Sequence, residues 1–313
     1  MTKIENFDLV KPSGISYGGH GGSKKGVIIN GERWFLKYPK STKSMDVKDM
    51  SYSTTPLSEY LGSHIYETLG IEVHETKLGC IDGKIVVACK DFLKNNEIII
   101  DYNMIRNEYD KNVERIIERL PSSSNIDTNN NMEEIIIIME QNHYFKSIPE
   151  LKKRFWDMFV IDAFINNNDR NEGNWGLILN KDTNKLRLAP VFDNGSSFYN
   201  KANDEKITSI YNDEFKFKQA VYDSSISIYK INGKNINPLK YIESMNNKEC
   251  NNAILRIIPK INMNKIKDIF NNIEKYNDLT VLSKPQKRYY LKVLEYRYNN
   301  ILLNVYNKLK SKM

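Results

Sequence analysis

Two polar loops carry the residues of this sequence whose types and spacing could do chemistry. In INNNDRNEGNWG (165–176), Asp169 and Asn174 have the spacing D-x-x-x-x-N, and APVFDNGSS (189–197) places Asp193 after an apolar stretch. A carboxylate in such a loop can accept the proton of a hydroxyl group, while an amide oxygen farther along can bind a metal ion. A further carboxylate supplies the hard oxygen ligand that Mg²⁺ prefers. The spacing therefore predicts phosphoryl transfer, with Asp169 as base and Asn174 and Asp193 as metal ligands.

A second group of residues, nearer the N-terminus, could hold phosphate. Lys37 lies late in the apolar stretch RWFLKYP, and Glu59 lies on a predicted helix. In kinases a lysine at this place holds the α- and β-phosphates and pairs with a helix glutamate. Before them, YGGHGGSKKG offers backbone N–H groups that can approach phosphate oxygens closely. The predicted nucleotide-binding residues of this loop are Gly18, Gly19, Gly21, Gly22 and Ser23.

Each of these signals taken alone has an ordinary structural alternative. The glycine-rich stretch could be a surface loop, Lys37 could extend along a sheet edge to solvent, and Glu59 could be a solvated helix residue. The order of the signals is more specific than any one of them, because it reproduces the order of parts in a kinase.

The elements that must position these residues fall into two parts. Residues 1–92 are predicted to form an N-terminal lobe, a small antiparallel sheet with one helix. Asn30-Gly31 and Asp82-Gly83 favour tight hairpin turns, because both positions of such turns need positive φ. The helix is expected to begin at Thr55-Pro56 and to end at Gly70.

Residues 93–313 are predicted to form a mainly helical C-terminal lobe, with a helical pattern from about residue 95. A helix over PELKKRFWDMFVIDAFI should end at the Asp169 loop. WGLIL and KLRLAPVF are predicted strands, with Asp193 at the end of the second. A long polar region is expected at 199–238, followed by further helices.

Charge is concentrated at the C-terminus. The chain has 313 residues and a net charge of +7, and residues 284–313 contain eight basic residues and one acidic residue. We interpret this segment as an amphipathic helix that packs on the core and exposes a basic face. The alternative is a basic helix for nucleic acid or an anionic surface. Because a recognisable nucleic-acid-binding motif is lacking, we expect no direct nucleic-acid partner.

The cysteines and the N-terminus bear on the compartment. Three cysteines without a CxxC pair argue against a disulfide framework and fit a reducing compartment. The histidines lack a zinc-binding pattern, so no structural zinc site is expected. Neither a classical export signal nor a membrane span is expected. We predict a cytoplasmic location in a bacterium, the alternative being transfer to a host cell or the medium without a classical signal peptide.

The motifs together resemble the HipA-like serine/threonine kinases, and in particular the compact, cell-translocating members of that family. The resemblance covers most of the chain, and the segments that carry it are GGHGGSKKG, FLKYP, SEY, VVACKDF, FWDMFVIDAFINNNDRNEGNWG and APVFDNGSS. It implies an α+β, bilobal, atypical protein-kinase-like fold related to phosphoinositide kinases, with ATP and Mg²⁺ as cofactors. It also implies that Glu59 orients Lys37 and that a hinge of Lys90, Asp91 and Phe92 meets adenine.

The resemblance further implies regulation and partners. Family members phosphorylate a serine near the glycine-rich loop, and the candidates here are Ser16, with Ser13 and Ser23 behind it. A turn serine is the alternative interpretation. Larger members carry an extra N-terminal subdomain before the loop, so a small antitoxin-like or subdomain-like protein could take its place here, or none. Asn171 stands where the family often has histidine, which leaves the geometry at the phosphates open.

Three functions follow from these observations. The leading one is an ATP- and Mg²⁺-dependent kinase, a toxin or an effector, that phosphorylates Ser and Thr hydroxyls of a protein substrate. The second is a small-molecule phosphotransferase of the antibiotic-kinase type, although such enzymes usually have His-x-Asp where this chain has Asn167-Asn168-Asp169. The third is a basic binding protein without catalysis, acting through residues 284–313.

Overall fold

The computed structural model describes residues 4–17, 24–43, 52–108, 130–223, 227–273 and 276–313. The strands in these ranges are β1 (Glu5–Asn6), β2 (Lys11–Pro12), β3 (Lys24–Ile29), β4 (Glu32–Lys37), β5 (Thr76–Ile81), β6 (Lys84–Lys90), β7 (Glu97–Asp101), β8 (Gly176–Asn180), β9 (Lys185–Leu188), β10 (Lys230–Ile231) and β11 (Lys234–Asn235). The helices are α1 (Thr55–Thr68), α2 (Tyr102–Asn107), α3 (Met132–Gln141), α4 (His143–Ser147), α5 (Pro149–Ile165), α6 (Asp204–Asn212), α7 (Glu214–Asp223), α8 (Pro238–Ser244), α9 (Lys248–Ile257), α10 (Met263–Asn271), α11 (Lys284–Tyr296) and α12 (Leu303–Lys310).

The N-terminal strands form a sheet in the order β1-β5-β6-β4-β3-β2. Its two hairpins turn where the sequence predicts. Asn30 and Gly31 have φ of 52° and 80°, and Asp82 and Gly83 have φ of 48° and 70°. Both turns therefore meet the requirement for positive φ at two successive residues.

Helix α1 packs on this sheet and begins with a proline at its first turn, as predicted. Leu57, Leu61 and Ile65 of the helix are buried in the core. The chain then leaves the helix through Gly70, whose φ is +71°. A glycine is favoured there because the left-handed conformation clashes with a Cβ atom.

The opposite side of α1 lies against the loop that follows β9. A Cβ atom added to Gly62 would be 3.0 Å from Cβ of Asn194 and 3.2 Å from Oγ of Ser197. The next residue, Ser63, accepts a hydrogen bond from Nδ2 of Asn194 at 3.0 Å. The absence of a side chain at Gly62 therefore lets the helix approach this loop closely.

A second sheet in the order β7-β8-β9 lies in the part predicted as mainly helical. The expectation of a helical pattern from residue 95 is therefore wrong for Glu97–Asp101, which pairs with β8 over its whole length. The glycine of the NWG motif makes this pairing feasible. A Cβ atom on Gly176 would be 2.3 Å from the carbonyl oxygen of Ile100.

The C-terminal part of helix α5 is completely buried. From Phe155 to Ile165 every residue is buried, and the helix ends at Asn166, which has φ of 64°. Arg297 fixes this end, because its buried guanidinium donates to the carbonyl oxygen of Phe164 at 3.2 Å and to Oδ1 of Asn166 at 3.2 Å. The loop that carries Asp169 therefore starts from a rigid base.

The region 199–238 is not the long polar region that the sequence predicts. It contains α6, α7 and the β10–β11 hairpin, and it buries Ile207, Phe217 and Val221. Its polar residues lie on the outer faces of these short helices, which is why composition alone did not reveal them.

The basic C-terminal segment is helical and packs on the core, as predicted. Helices α11 and α12 continue into each other through a π-helical turn at Arg297–Leu302, which brings Arg297 inside. Burial lowers the pKa of Arg297 to about 10. Within the described ranges, the helices are too short or too polar to span a bilayer.

Candidate functional site

A cleft of about 570 Å³ brings together most of the described residues that the sequence singles out. The N-terminal sheet contributes Phe35 and Lys37, and α1 contributes Glu59. The other walls come from the segment after β6, the loop after α5 and the loop after β9. They contribute Asp91, Phe92, Asp169, Asn174 and Asp193.

Lys37 lies at the centre of an ion-pair network in this cleft. Its Nζ is 2.7 Å from Oε2 of Glu59 and 2.8 Å from Oδ1 of Asp193. Glu59 is fully buried, whereas the Asp193 side chain is 38% exposed and faces the cleft. The lysine of β4 thus joins the carboxylate of α1 to the carboxylate of the loop after β9.

The charges in this network stabilise each other against the cost of burial. Burial alone would lower the pKa of Lys37, but Asp193 and Glu59 raise it overall. Burial alone would raise the pKa of Glu59 and of Asp193, and the Lys37 ammonium lowers both overall. All three side chains are therefore charged at neutral pH.

Asp193 is held by its loop and not by a strand. The sequence placed it at the end of a strand, but β9 ends at Leu188, and only Val191 pairs beyond it, in a parallel bridge with Val73. Asp193 has φ of 59°. A non-glycine residue in the left-handed region is strained, and such strain is concentrated at functional sites.

The loop after α5 presents Asp169 and Asn174 to the same cleft. Nδ2 of Asn174 donates to the backbone carbonyl of Asp169 at 2.9 Å, which leaves the amide oxygen as the atom suited to a metal ion. Asn171, which stands in the place of the family's histidine, donates from Nδ2 to Oδ1 of Asp169 at 3.3 Å. Its own Oδ1 accepts from the backbone N–H of Gly173 at 3.0 Å.

Arg170 connects the two loops of the cleft, although no sequence motif singled it out. Its guanidinium is buried and donates to both carboxylate oxygens of Asp162 in α5, at 2.9 and 3.1 Å. It also donates to the carbonyl oxygen of Asn174 at 3.3 Å, to the carbonyl oxygen of Phe192, and to Oδ1 of Asn194 at 2.6 Å. Arg170 therefore joins the loop that carries Asp169 to the loop that carries Asp193, and both of them to α5.

A signal for this contact was present in the sequence. Asp162 is a carboxylate inside an otherwise apolar stretch of α5, and it is 5% exposed. A buried carboxylate requires hydrogen-bond donors or a cation. Tyr66 and Asn167 supply further donors to Oδ1, at 2.7 and 3.1 Å.

One end of the cleft is walled by aromatic side chains. The Tyr17 hydroxyl donates to Oδ2 of Asp91 at 2.9 Å, and its ring lies 4.8 Å from that of Phe35. The rings of Phe92 and Phe192 lie 5.5 Å apart. This end offers flat apolar surfaces, which suit a heteroaromatic ring.

The remaining predicted nucleotide-binding residues, Lys90 and those of the glycine-rich loop, are not among the described residues that line the cleft. The Lys90 ammonium is not in the cleft but pairs with Glu32 at 2.7 Å and Glu75 at 3.3 Å. The loop residues Gly18, Gly19, Gly21, Gly22 and Ser23 lie outside the described residues.

Directly after that loop, Lys24 lines the cleft. It stands opposite Lys37 in the β3–β4 ladder. Burial and the nearby Lys37 ammonium lower the pKa of Lys24. The sequence alone assigns Lys24 no role, because the position of its side chain depends on the strand register.

The serines proposed for phosphorylation lie at the edge of this region. Ser16 is exposed, and Ser13 is half-buried with its hydroxyl accepting from the N–H of Ile15 at 3.2 Å. This segment crosses Gly26 so closely that a Cβ atom there would be 2.4 Å from Oγ of Ser13. Ser23 lies outside the described residues.

Behind Lys37, a buried cluster of Glu59, His74 and Cys89 has ligand-type atoms within 4.8 Å of one another. Nε2 of His74 is 2.9 Å from Oε1 of Glu59. The Lys37 ammonium, 2.7 Å from the same carboxylate, would repel a cation placed there. We therefore interpret the cluster as support for the ion pair and not as a metal site.

Comparison with known proteins shows strong similarity to a kinase. No protein-family model matches the chain. The serine/threonine-protein kinase CtkA of Helicobacter pylori strain J99 is 36% identical over 257 residues, which is 82% of this chain and 75% of CtkA. The crystal structure of the H. pylori proinflammatory kinase CtkA superposes with a TM-score of 0.85 at 30% identity, over 99% of this chain and 98% of that one. HipA of Shewanella oneidensis, solved with HipB and operator DNA, gives a TM-score of 0.48 at 10% identity, over 95% and 70% of the two chains.

Proposed function

This chain belongs to the family of the serine/threonine-protein kinase CtkA, and we propose that it transfers the γ-phosphoryl group of ATP, with Mg²⁺, to Ser and Thr hydroxyls of a protein. Membership confirms the predicted enzyme class and the predicted bilobal kinase-like fold. The boundary between the lobes at residues 92 and 93 stays a prediction.

The observation that carries the proposal is the convergence of five polar side chains on one cleft. Lys37 pairs with Glu59 and Asp193, and Asp169 and Asn174 open on the same space. These five are the parts that phosphoryl transfer requires in kinases.

The phosphate end of ATP would bind between Lys37 and the two acidic loops. Lys37 is held charged by its carboxylate partners, so it can neutralise phosphate oxygens. The amide oxygen of Asn174 and the carboxylate of Asp193 are hard oxygen donors on facing loops, a donor set that fits Mg²⁺. When bound, Mg²⁺ would neutralise developing negative charge on the phosphates.

In the proposed reaction, the Asp169 carboxylate receives the proton of the acceptor hydroxyl. As the hydroxyl oxygen bonds to the γ-phosphorus, the bond from that phosphorus to the bridging oxygen breaks, and ADP leaves. The hydroxyl proton passes to the Asp169 carboxylate. The Nδ2 group of Asn171, 3.3 Å from Oδ1 of Asp169, helps to orient that carboxylate.

The adenine end would lie between the aromatic walls. Asp91 and Phe92 follow β6, as a hinge does, and Phe192 faces them from the loop after β9. We propose that adenine binds there. The side chain of Lys90 points elsewhere, so only its backbone remains a candidate for the hinge.

The test measures phosphate transfer from labelled ATP with Mg²⁺ to the chain itself and to a generic protein. We expect transfer by the wild type and loss of at least about a hundredfold in Asp169→Asn, since general-base catalysis contributes that much or more. Asp193→Ala should abolish metal-dependent turnover. Asp268→Asn, at an exposed aspartate on α10, is the matched control and should behave as wild type.

Three outcomes would contradict the proposal. Equal transfer by wild type and Asp169→Asn would remove Asp169 from its role. Transfer to hydroxyl groups of small molecules such as aminoglycosides, but to no protein, would favour the small-molecule phosphotransferase. Absence of both activities would favour a binding protein without catalysis.

We also propose autophosphorylation at Ser16, with Ser13 and Ser23 as the alternatives. Ser16 is exposed next to Tyr17, which lines the cleft. Phosphopeptide mapping of the active enzyme should find phosphate on one of these serines, and its absence there would contradict the assignment. A toxin or effector role, an antitoxin-like partner, and the cellular location stay predictions of the family resemblance.

A further inference from the structure

We propose that His74 is a positioning residue, which holds the Glu59 carboxylate and, through it, aims the Lys37 ammonium at the phosphates. The inference rests on the proposed function, because it assumes that Lys37 acts on ATP. Three features of the described residues support it: the contact to Glu59, the full use of that carboxylate, and the backbone anchor of His74.

The contact between His74 and Glu59 is buried and has a defined donor. Both side chains are fully buried, and Nε2 of His74 lies 2.9 Å from Oε1 of Glu59. A charged carboxylate only accepts hydrogen bonds, so Nε2 carries the hydrogen. Nδ1 of His74 has no hydrogen-bond partner among the described residues. A neutral ring with its hydrogen on Nε2 therefore leaves no buried N–H group unpaired.

Glu59 has both carboxylate oxygens in use. Oε2 receives the Lys37 ammonium at 2.7 Å. Oε1 receives the His74 ring at 2.9 Å and the backbone N–H of Asn194 at 2.9 Å. The terminal torsion of a glutamate is otherwise broad and weakly restrained. Donors on Oε1 therefore fix the plane of the carboxylate, and that plane sets the direction from which Oε2 holds Lys37.

The His74 backbone is tied to the loop that carries Asp193. Its N–H donates to the carbonyl oxygen of Val191 at 3.0 Å, and the N–H of Val191 donates to the carbonyl oxygen of Glu72 at 2.9 Å. The imidazole therefore projects from a segment that is paired with the Asp193 loop, and it contacts the Glu59 carboxylate. A shift of the Asp193 loop or of Glu59 would therefore change the position of the Lys37 ammonium.

The test compares two amides of different length at position 74. In His74→Gln the terminal amide can reach the place of Nε2 and donate to Glu59, whereas in His74→Asn it is one methylene shorter and cannot. We expect kcat/KM for ATP to fall about ten- to a hundredfold in His74→Asn, the range that loss of a charge-assisted hydrogen bond implies. His74→Gln should stay within about threefold of wild type, because a neutral amide can still make that bond. ATP affinity, measured by calorimetry with Mg²⁺, should follow the same order.

Repeating the substitution of His74 in a Glu59→Ala variant distinguishes a positioning role of His74 from a simple packing role. In Glu59→Ala the group through which His74 acts is gone, so adding His74→Asn should change ATP affinity and kcat/KM by less than about twofold. All assays run at least 10 °C, as a rough margin, below the lowest melting temperature of the variants. A packing role would instead cost the same in both backgrounds.

The outcomes are distinguishable. Equal impairment of the Gln and Asn variants, wild-type kinetics in His74→Asn, or an undiminished cost in the Glu59→Ala background would each overturn the role of His74. Lack of ATP-dependent transfer by the wild type would instead overturn the proposed function, and ATP affinity would then still report whether His74 acts through Glu59.

Discussion

Replacing Arg170 should weaken both the fold and the catalytic site. The side chain is 2% exposed and donates to Asp162, to the carbonyl oxygens of Asn174 and Phe192, and to the side chain of Asn194. Arg170→Met keeps an unbranched apolar chain and removes every donor. Arg170→Lys keeps the charge but has one ammonium in place of a planar fork, so it can satisfy only part of this set.

The magnitude follows from the buried pair with Asp162. Removing one partner of a buried ion pair costs about 3–5 kcal/mol, because the other charge stays buried without compensation. For a chain of 313 residues, an unfolding entropy of about 2.1 cal/mol/K per residue means that each kcal/mol lowers the melting temperature by about 1.5 °C. Arg170→Met should therefore melt about 5–8 °C below wild type, with Arg170→Lys between the two.

The assay combines thermal unfolding, followed by circular dichroism, with kcat for phosphate transfer. A double variant, Arg170→Met with Asp162→Leu, no longer buries an unpaired carboxylate, so it should recover part of the lost stability. It should not recover activity, because the two loops remain unjoined. The reasoning would be refuted if Arg170→Met melted within about 2 °C of wild type, or if the double variant regained wild-type kcat.

Two further predictions concern the charges around Lys37. Lys24→Met should raise KM for ATP about fivefold, which is the effect of losing a partly exposed charge-assisted contact to phosphate. Lys25→Met changes the exposed neighbour outside the cleft and should change KM for ATP less than twofold. Equal effects of the two substitutions would contradict the placement of Lys24. Because the Lys37 ammonium lowers the pKa of Glu59 below its ordinary 4.5, stabilisation by this pair is present above pH 4.5 and is lost as the pH falls further. Urea unfolding below pH 4.5 should therefore show a steeper loss of stability in wild type than in Lys37→Met, and parallel acid limbs would count against the pairing.

Local rules made much of the N-terminal part predictable. The two hairpin turns need positive φ at Asn-Gly and Asp-Gly pairs, and α1 begins at a proline and ends before a glycine. These preferences depend only on residues that are close together in the sequence, so they can be predicted without knowing the fold. The spacing of Asp169 and Asn174 was readable for the same reason, since one loop contains both.

Contacts between distant segments were not predictable in the same way. Strand β7 is defined by its pairing with β8, far along the chain. A run of isoleucines does not by itself decide between strand and helix, since α3 contains such a run too. The hydrogen bonds that His74 and Arg170 donate could not be predicted, because they form only when α1, α5 and the loop after β9 come together in the fold. The short helices within 199–238 escaped prediction because each buries only one or two of its residues, Ile207 in α6 and Phe217 and Val221 in α7.

Helix α1 contacts the loop after β9 at three positions along its length. Glu59 accepts the backbone N–H of Asn194, Gly62 packs on the Cβ of Asn194, and Ser63 accepts from its side-chain amide. Many kinases are switched off by moving the corresponding helix outward, which breaks the lysine–glutamate pair. Here an outward swing would break three buried contacts at once, so we expect the helix to be part of a pre-assembled frame and not to act as the switch. Control of this enzyme is then expected from segments outside that frame, among them the stretch that bears Ser13 and Ser16.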